Sequence, residues 1–111
     1  MATVFIDPGR LRSELALQQS VQTADGLGGF SETWVEMATL FGQIEPIAAR
    51  EVFGAGQTLE TVTHRITVRW RHDLKSGMRL SRLGRSFDVL TVHDPDETGR
   101  YLACRVREIG L

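Results

Sequence analysis

The chain has very little cysteine: Cys104 is the only one among 111 residues. A single thiol cannot form an internal disulfide, and it cannot build a multi-cysteine zinc site. Cys104 falls within a strand-like pattern near the C-terminus, where it is most simply a small core residue. We therefore expect a protein that is made and folded in a reducing cytoplasm.

Long apolar runs are also missing. The longest is far too short to span a bilayer, and the first residues lack the charged and apolar regions of a secretory signal. Hydrophobic residues make up 41% of the chain and charged residues 24%, as in ordinary globular proteins. The length suits one domain with one core, so we expect a single domain over residues 1–111.

Motifs for catalysis, cofactors and metals are absent from the sequence as well. The three histidines form no HExxH or HxH pattern, and no nucleophile elbow, Walker A or cysteine–histidine signature occurs. The glycine-rich run at 26–29 precedes a strand and lacks the P-loop lysine, which indicates a turn. His64 falls on an apolar strand face, as expected of a core or interface histidine. The sequence predicts no enzyme, no cofactor and no metal site.

What the sequence does contain is a very regular period-two alternation over residues 61–71. Because successive side chains of a strand point to opposite faces, one face of this strand is apolar and the other polar. We expect the apolar face, which includes Trp70, to lie in a core, and the polar face to meet water or a partner. The polar face carries Arg65, Arg69 and Arg71, which we predict to be interface residues. The alternative is an ordinary solvated strand face.

Five further segments have strand character: 10–20, 32–44, 78–82, 86–93 and 100–108. In the second strand the apolar residues fall on both faces, which predicts a strand covered on both sides. One face has Trp34, Ala38, Leu40 and Ile44, and the other has Val35, Met37 and Phe41. Regularly spaced short strands predict an all-β protein, a small six-stranded β-barrel or sandwich.

One interruption lies between the second and third strands. Residues 47–55 allow a short helix with Pro46 at its first position, which tolerates proline. Gly54 and Gly56 weaken that helix, so the fold we expect has either one short helix or a long loop between strands 2 and 3.

Charge is distributed unevenly along the chain, although the net charge is only −1. Residues 1–60 carry eight acidic and three basic side chains, whereas residues 61–111 carry six acidic and ten basic ones. Opposite fields at two ends of one small protein would suit head-to-tail contact between copies. Folding could equally interleave the two halves and remove the asymmetry.

Nucleic-acid binding is the alternative function. A small barrel with Arg65, Arg69 and Arg71 on one strand, and with Trp70 and Phe87 nearby, is similar to an OB-like single-stranded nucleic-acid-binding module. Stacking of bases, however, requires aromatic side chains on the same face as the arginines. The alternation places Trp70 on the opposite face, which disfavours this alternative.

The order of these elements resembles the bacteriophage head–tail joining family, also called head-closure, stopper or connector proteins. The similarity extends from about Pro8 to Glu108, and its strongest part is the strand His64-Arg65-Ile66-Thr67-Val68-Arg69-Trp70. The other matching segments are Arg10-Leu11-Arg12, Asp25-Gly26, Trp34, Gly42-Gln43-Ile44-Glu45-Pro46, Glu51, Gln57, Gly77-Met78-Arg79 and Gly84-Arg85-Ser86-Phe87-Asp88-Val89. Gene transfer agents, which derive from phages, use the same kind of protein.

The resemblance implies a structural protein of the virion neck, made in the cytoplasm of the bacterial host. Such proteins form a ring, typically a dodecamer, with the portal or its adaptor above and a tail terminator or tail tube protein below. Packaged DNA lies near the channel. The segment between strands 2 and 3, here Glu45 to Glu60, faces the channel in such proteins and acts as a gate; an ordinary surface helix or loop is the alternative. The channel or gating residues carried over are Pro46, Arg50, Glu51, Phe53, Gly54, Gly56 and Gln57.

Overall fold

The computed structural model describes residues 5–47 and 62–109. After a short 3-10 helix at Pro8–Arg10 come six strands: β1 (Ser13–Ala24), β2 (Phe30–Pro46), β3 (His64–Arg69), β4 (Arg79–Arg82), β5 (Arg85–His93) and β6 (Tyr101–Ile109). All neighbouring strands are antiparallel, and they close into a barrel in the order β1-β2-β3-β6-β5-β4. The expected all-β, six-stranded fold is confirmed.

The expected helix at 47–55 lies outside the described residues apart from Ile47. No helix among the described residues is long and apolar enough to cross a membrane.

The interior of the barrel is filled by alternate residues of all six strands. Ile66 and Val68 of β3 are fully buried, and they pair across the sheet with Cys104 and Leu102 of β6. The predicted core face of β3 is therefore confirmed for these residues. Cys104 is also confirmed as a core residue, and its burial raises the pKa of the thiol to about 12. The core comprises Leu15, Leu17, Leu40, Ile66, Val68, Leu74, Leu80, Phe87, Val89, Leu102, Cys104 and Val106.

Gly42 allows β2 to approach β3 closely. A Cβ atom at this position would lie 2.9 Å from the Thr67 carbonyl oxygen and 2.9 Å from Val68 Cγ1. The first of these is a backbone atom, which cannot rotate away as a side chain can. Glycine at this position therefore maintains the close packing of β2 against the β3 backbone.

The β1–β2 pair extends well beyond the barrel. β1 pairs with β2 along its whole length, but with β4 only at residues 16–18. Residues 19–35 thus form a two-stranded extension with its turn, which we call the projecting hairpin. Its presence is consistent with the elongated shape of the described chain, 53 × 29 × 26 Å.

The prediction that strand 2 is covered on both sides is wrong. Val35, Met37 and Phe41 are all exposed. No second layer packs on the outside of the described barrel at Phe41, and Val35 lies beyond the barrel in the projecting hairpin. The facing also changes along β2: Leu17 pairs with Ala38, but the next residue, Gln18, pairs with Glu36. Met37 is thus an extra residue, a bulge that places Trp34 on the face opposite Ala38.

The prediction that Trp70 lies in the core is also wrong. β3 ends at Arg69, so the strict alternation of side chains no longer applies at the next residue. Trp70 is 48% exposed, and its backbone N–H donates to the Arg100 carbonyl oxygen, 2.9 Å away, in the segment before β6. This change at the strand end puts the indole on the surface.

Candidate assembly surface

The three arginines predicted as interface residues do not form one cluster. Arg65 lies on the outer face of β3 and pairs with Glu45 of β2, 3.3 Å away. It lines an open groove of 610 Å³ together with Arg105 and His93. His93 is exposed as a residue, but partial desolvation of its ring lowers its pKa, and the positive charges of Arg105 and Arg65 lower it further. Arg65 thus already has an acidic partner within its own chain.

Arg69 and Arg71 line a different groove, of 430 Å³, on the surface beside Trp70. We call it the aromatic–arginine groove; it is lined by Pro8, Leu11, Leu40, Phe41, Arg69, Trp70 and Arg71. The Arg71 guanidinium donates two hydrogen bonds to Asp73, 2.9 and 3.0 Å long. These bonds raise the pKa of Arg71 and lower that of Asp73. Arg71 is therefore held in place.

Arg69 differs from the other two arginines. Its side chain is exposed, and it makes no hydrogen bond or ion pair with any residue in the described parts of the chain. Beside it, Phe41 and Trp70 expose about half of their surface, 53% and 48% respectively. An exposed arginine with no partner among the described residues, next to two exposed aromatic rings, is a composition typical of a binding hot spot.

The aromatic–arginine groove brings an aromatic ring and arginines to one surface, as single-stranded nucleic-acid binding would require. Trp70 was expected to point away from the arginines, but it lines the same groove as Arg69 and Arg71. Phe87, the other aromatic residue considered for stacking, is fully buried. It packs edge-on against His64 with ring centroids 5.3 Å apart, so it offers no surface to a base.

His64 is confirmed as a core or interface histidine. It lies between Phe87 and Glu108, with Nε2 3.9 Å from the Glu108 carboxylate. Burial lowers the pKa of His64; Glu108 raises it and Arg85 lowers it. Arg85 donates two hydrogen bonds to Glu108, of 2.8 and 3.1 Å, and these lower the pKa of Glu108. These contacts account for His64 as a structural residue.

The projecting hairpin is a second candidate surface, and our sequence analysis did not identify it. Residues 19–35 contain two carboxylates, Asp25 and Glu32, and no lysine or arginine. Glu45 of the same strand pair lies in the barrel instead, where it pairs with Arg65. Large apolar side chains are exposed along it. They are Val21, Leu27, Phe30 and Val35, followed by Met37 at the bulge. Two features of the sequence could have indicated this surface: the segment has no lysine or arginine, and its second strand has apolar residues on both faces.

Of the seven predicted channel or gating residues, Pro46 alone lies within the described ranges. Pro46 is exposed at the end of β2 and pairs with His64. Arg50, Glu51, Phe53, Gly54, Gly56 and Gln57 lie outside the described residues. Within the described ranges, no group of three or more histidine, cysteine or acidic residues is arranged to hold a metal ion.

Comparisons with known proteins place the chain in a class. It is similar to a chain in the virion of a native gene transfer agent (GTA) particle, with 27% identity, a TM-score of 0.67, and coverage of 90% of this chain and 96% of that one. It is also similar to protein SF1141 from Shigella flexneri 2a, known from a solution structure, with 28% identity, a TM-score of 0.71, and coverage of 93% and 96%. No curated protein matches the sequence.

The barrel and these likenesses define a structural protein of phage-like particles. A family of phage head completion proteins matches residues 6–109. The chain belongs to the phage head completion protein family, whose members are structural virion proteins that associate with other virion proteins. The resemblance seen in the sequence is thereby confirmed at the level of the family.

Proposed function

We propose that this protein forms a ring in the neck of a phage or gene transfer agent particle, between the portal or adaptor and the tail. There it closes the filled head and joins the tail, without a catalytic role. The observation that carries the proposal is the family match over residues 6–109, together with the likeness to a gene transfer agent virion chain across 96% of that chain. Two different exposed apolar surfaces, on the projecting hairpin and at the aromatic–arginine groove, support assembly from repeated copies.

Deletion of the gene from its particle-producing strain tests this function. We expect filled or leaking heads and free tails to accumulate as separate species, and a plasmid copy of the wild-type gene to restore joined particles. A complementing copy with Ile66→Asp, which disrupts the barrel, is the matched negative control. Normal joined particles from the deletion strain would contradict the proposal.

We propose the neighbours and the gate on the same basis. The ring, typically dodecameric in such proteins, meets the portal or adaptor on one side and a tail terminator or tail tube protein on the other. Residues Glu45 to Glu60 face the channel near the packaged DNA. Hydrogen exchange tests the gate: amides of 47–59 should be unprotected in the free subunit and protected in the particle. Strong protection in the free subunit would contradict it.

One observation supports the alternative of single-stranded nucleic-acid binding, namely that Trp70 is exposed beside Arg69. A single stacking residue with an arginine would give weak, salt-dependent retention on single-stranded DNA. Trp70→Ala should abolish that retention if the alternative holds. Equal retention of the wild type and Trp70→Ala, or none by either, favours the neck protein.

A further inference from the structure

The tip of the projecting hairpin is held in one conformation although its apolar side chains have no cover. The Asp25 carboxylate accepts hydrogen bonds from the backbone N–H groups of Leu27 and Gly29, at 2.8 and 3.1 Å. The Asp25 N–H donates to the Gly29 carbonyl oxygen at 3.1 Å. Leu27 is nevertheless 90% exposed and Phe30 70% exposed. A preformed turn that presents large apolar side chains needs little ordering when it binds.

The aromatic–arginine groove is complementary to this tip. Its exposed rings, Phe41 and Trp70, offer an apolar surface. Arg69 of the groove has no acidic partner among the described residues. It therefore suits the projecting hairpin, which carries carboxylates and no lysine or arginine. Tryptophan and arginine are the residue types that most often dominate binding energy at interfaces.

The tip and the groove of one chain cannot meet. Phe30 begins β2 and Phe41 lies eleven residues further along the same strand, so about 35 Å separates them at roughly 3.3 Å per residue. Because a continuous hydrogen-bonded strand fixes this distance, the tip can contact a groove only on another copy of the chain.

We propose that the hairpin tip of one copy docks in the aromatic–arginine groove of the next copy. Leu27 and Phe30 would pack on Phe41 and Trp70, and the two carboxylates of the hairpin, Asp25 and Glu32, would lie near Arg69. The contact joins two different surfaces, so it is heterologous and closes into a ring when the rotation between copies permits. The inference rests on the proposed function and adds which surfaces join the subunits.

Disulfide trapping in purified particles tests the contact. The variant Leu27→Cys/Phe41→Cys should give a ladder of covalent oligomers on oxidation, because a disulfide requires Cα atoms within about 7 Å. Cys104 does not interfere, since it is fully buried and its thiol pKa is raised to about 12. Leu27→Cys/Arg107→Cys is the control. Arg107 is exposed on β6, six residues from the Tyr101 that pairs with Arg69, and this variant should give no ladder.

Two results of this experiment would overturn the proposed contact. One is the presence of the double-cysteine chain in particles without a ladder. The other is a cross-link from Leu27→Cys to a different virion protein. In either case the ring at the neck would still stand. Absence of the wild-type chain from particles would instead overturn the proposed function, and this contact with it.

Two single serine variants test the contact if the double-cysteine chain does not enter particles. Leu27→Ser and Leu83→Ser each replace an exposed leucine in a turn between strands, 90% and 86% exposed respectively. Both variants should melt like the wild type. We expect at least a tenfold loss of Leu27→Ser from particles and none of Leu83→Ser. Equal incorporation of both, or equal loss of both, would overturn the contact.

Discussion

Alternate residues of β3 have opposite roles, and this sets what each position tolerates. Ile66 is fully buried in the barrel, whereas Arg69 is exposed. Ile66→Asp would bury an unpaired carboxylate and remove apolar contacts, at a cost of about 3–5 kcal/mol. Arg69→Ala should change the free energy of unfolding by less than about 0.5 kcal/mol. Urea unfolding of the two variants measures both values, and equal destabilisation would contradict the facing of β3.

Glu108 gives the stability of the free subunit a defined dependence on pH. Its hydrogen bonds from Arg85 lower its pKa in the folded state, so the folded state binds the proton less tightly than the unfolded state. This stabilisation is present above the unfolded glutamate pKa of about 4.3, and it is lost as pH falls through the lower folded pKa. Glu108→Gln should therefore be less stable than the wild type near pH 7, and the difference should shrink in acid. A difference that is constant from pH 7 to pH 3 would contradict this.

At single positions, the sequence predicted residues inside regular strands well and residues at strand ends poorly. Ile66, Val68 and Cys104 are in the core as expected, because each has paired strands on both sides. Trp70 follows the same alternation in the sequence, but its strand has already ended. Period two predicts facing only as far as the ladder of hydrogen bonds continues.

Among the elements, the projecting hairpin should be the least stable of the described strands. Residues 19–24 and 30–35 pair only with each other, whereas β3 has a partner on each side. The hairpin's one ring contact with the barrel, among the described residues, is Trp34 beneath the Arg79 guanidinium, 3.9 Å from the ring centroid. A two-stranded ribbon with so little packing opens more readily than a barrel strand. Hydrogen exchange of the free subunit should show faster exchange at 19–24 and 30–35 than at 64–69. Equal protection of both regions would contradict the view that the hairpin extends beyond the barrel.

The number and order of the strands could be predicted from the sequence, but the lengths of β1 and β2 could not. The predicted segments are 10–20 and 32–44, whereas β1 continues to Ala24 and β2 begins at Phe30, so that Val21 and Val35 lie exposed beyond the barrel. The bulge at Met37 was also missed, because a single extra residue leaves the composition of the strand unchanged. Both features depend on which strands pair, and this is a property of the tertiary structure.

For the whole molecule, the projecting hairpin carries two carboxylates and no lysine or arginine, whereas several arginines of the barrel lie beside acidic partners. The imbalance between the two halves of the sequence did not predict how folding interleaves them, as in the pair Glu45–Arg65. The division among the three candidate arginines could not be predicted either. Whether an arginine has a partner depends on pairing across strands, as Arg65 with Glu45 shows.

This division predicts different effects of reversing two of the charges. Arg69→Glu should leave the stability of the free subunit nearly unchanged but reduce its incorporation into particles, because the groove would then repel an acidic partner. Arg65→Glu would face Glu45 across the strand pair, and should destabilise the free subunit by up to about 1 kcal/mol. Thermal melts and quantification of the chain in particles measure the two effects. Normal incorporation of Arg69→Glu would contradict a role for the groove in assembly.

Electron cryomicroscopy of purified particles tests the central claim most directly. If this protein joins head and tail, the neck should show a closed ring of six-stranded barrels between the portal or adaptor and the first ring of the tail. Particles labelled with a tag at the C-terminus of this chain should show extra density on that ring alone. A neck without such a ring, or tag density at another position in the particle, would contradict the account.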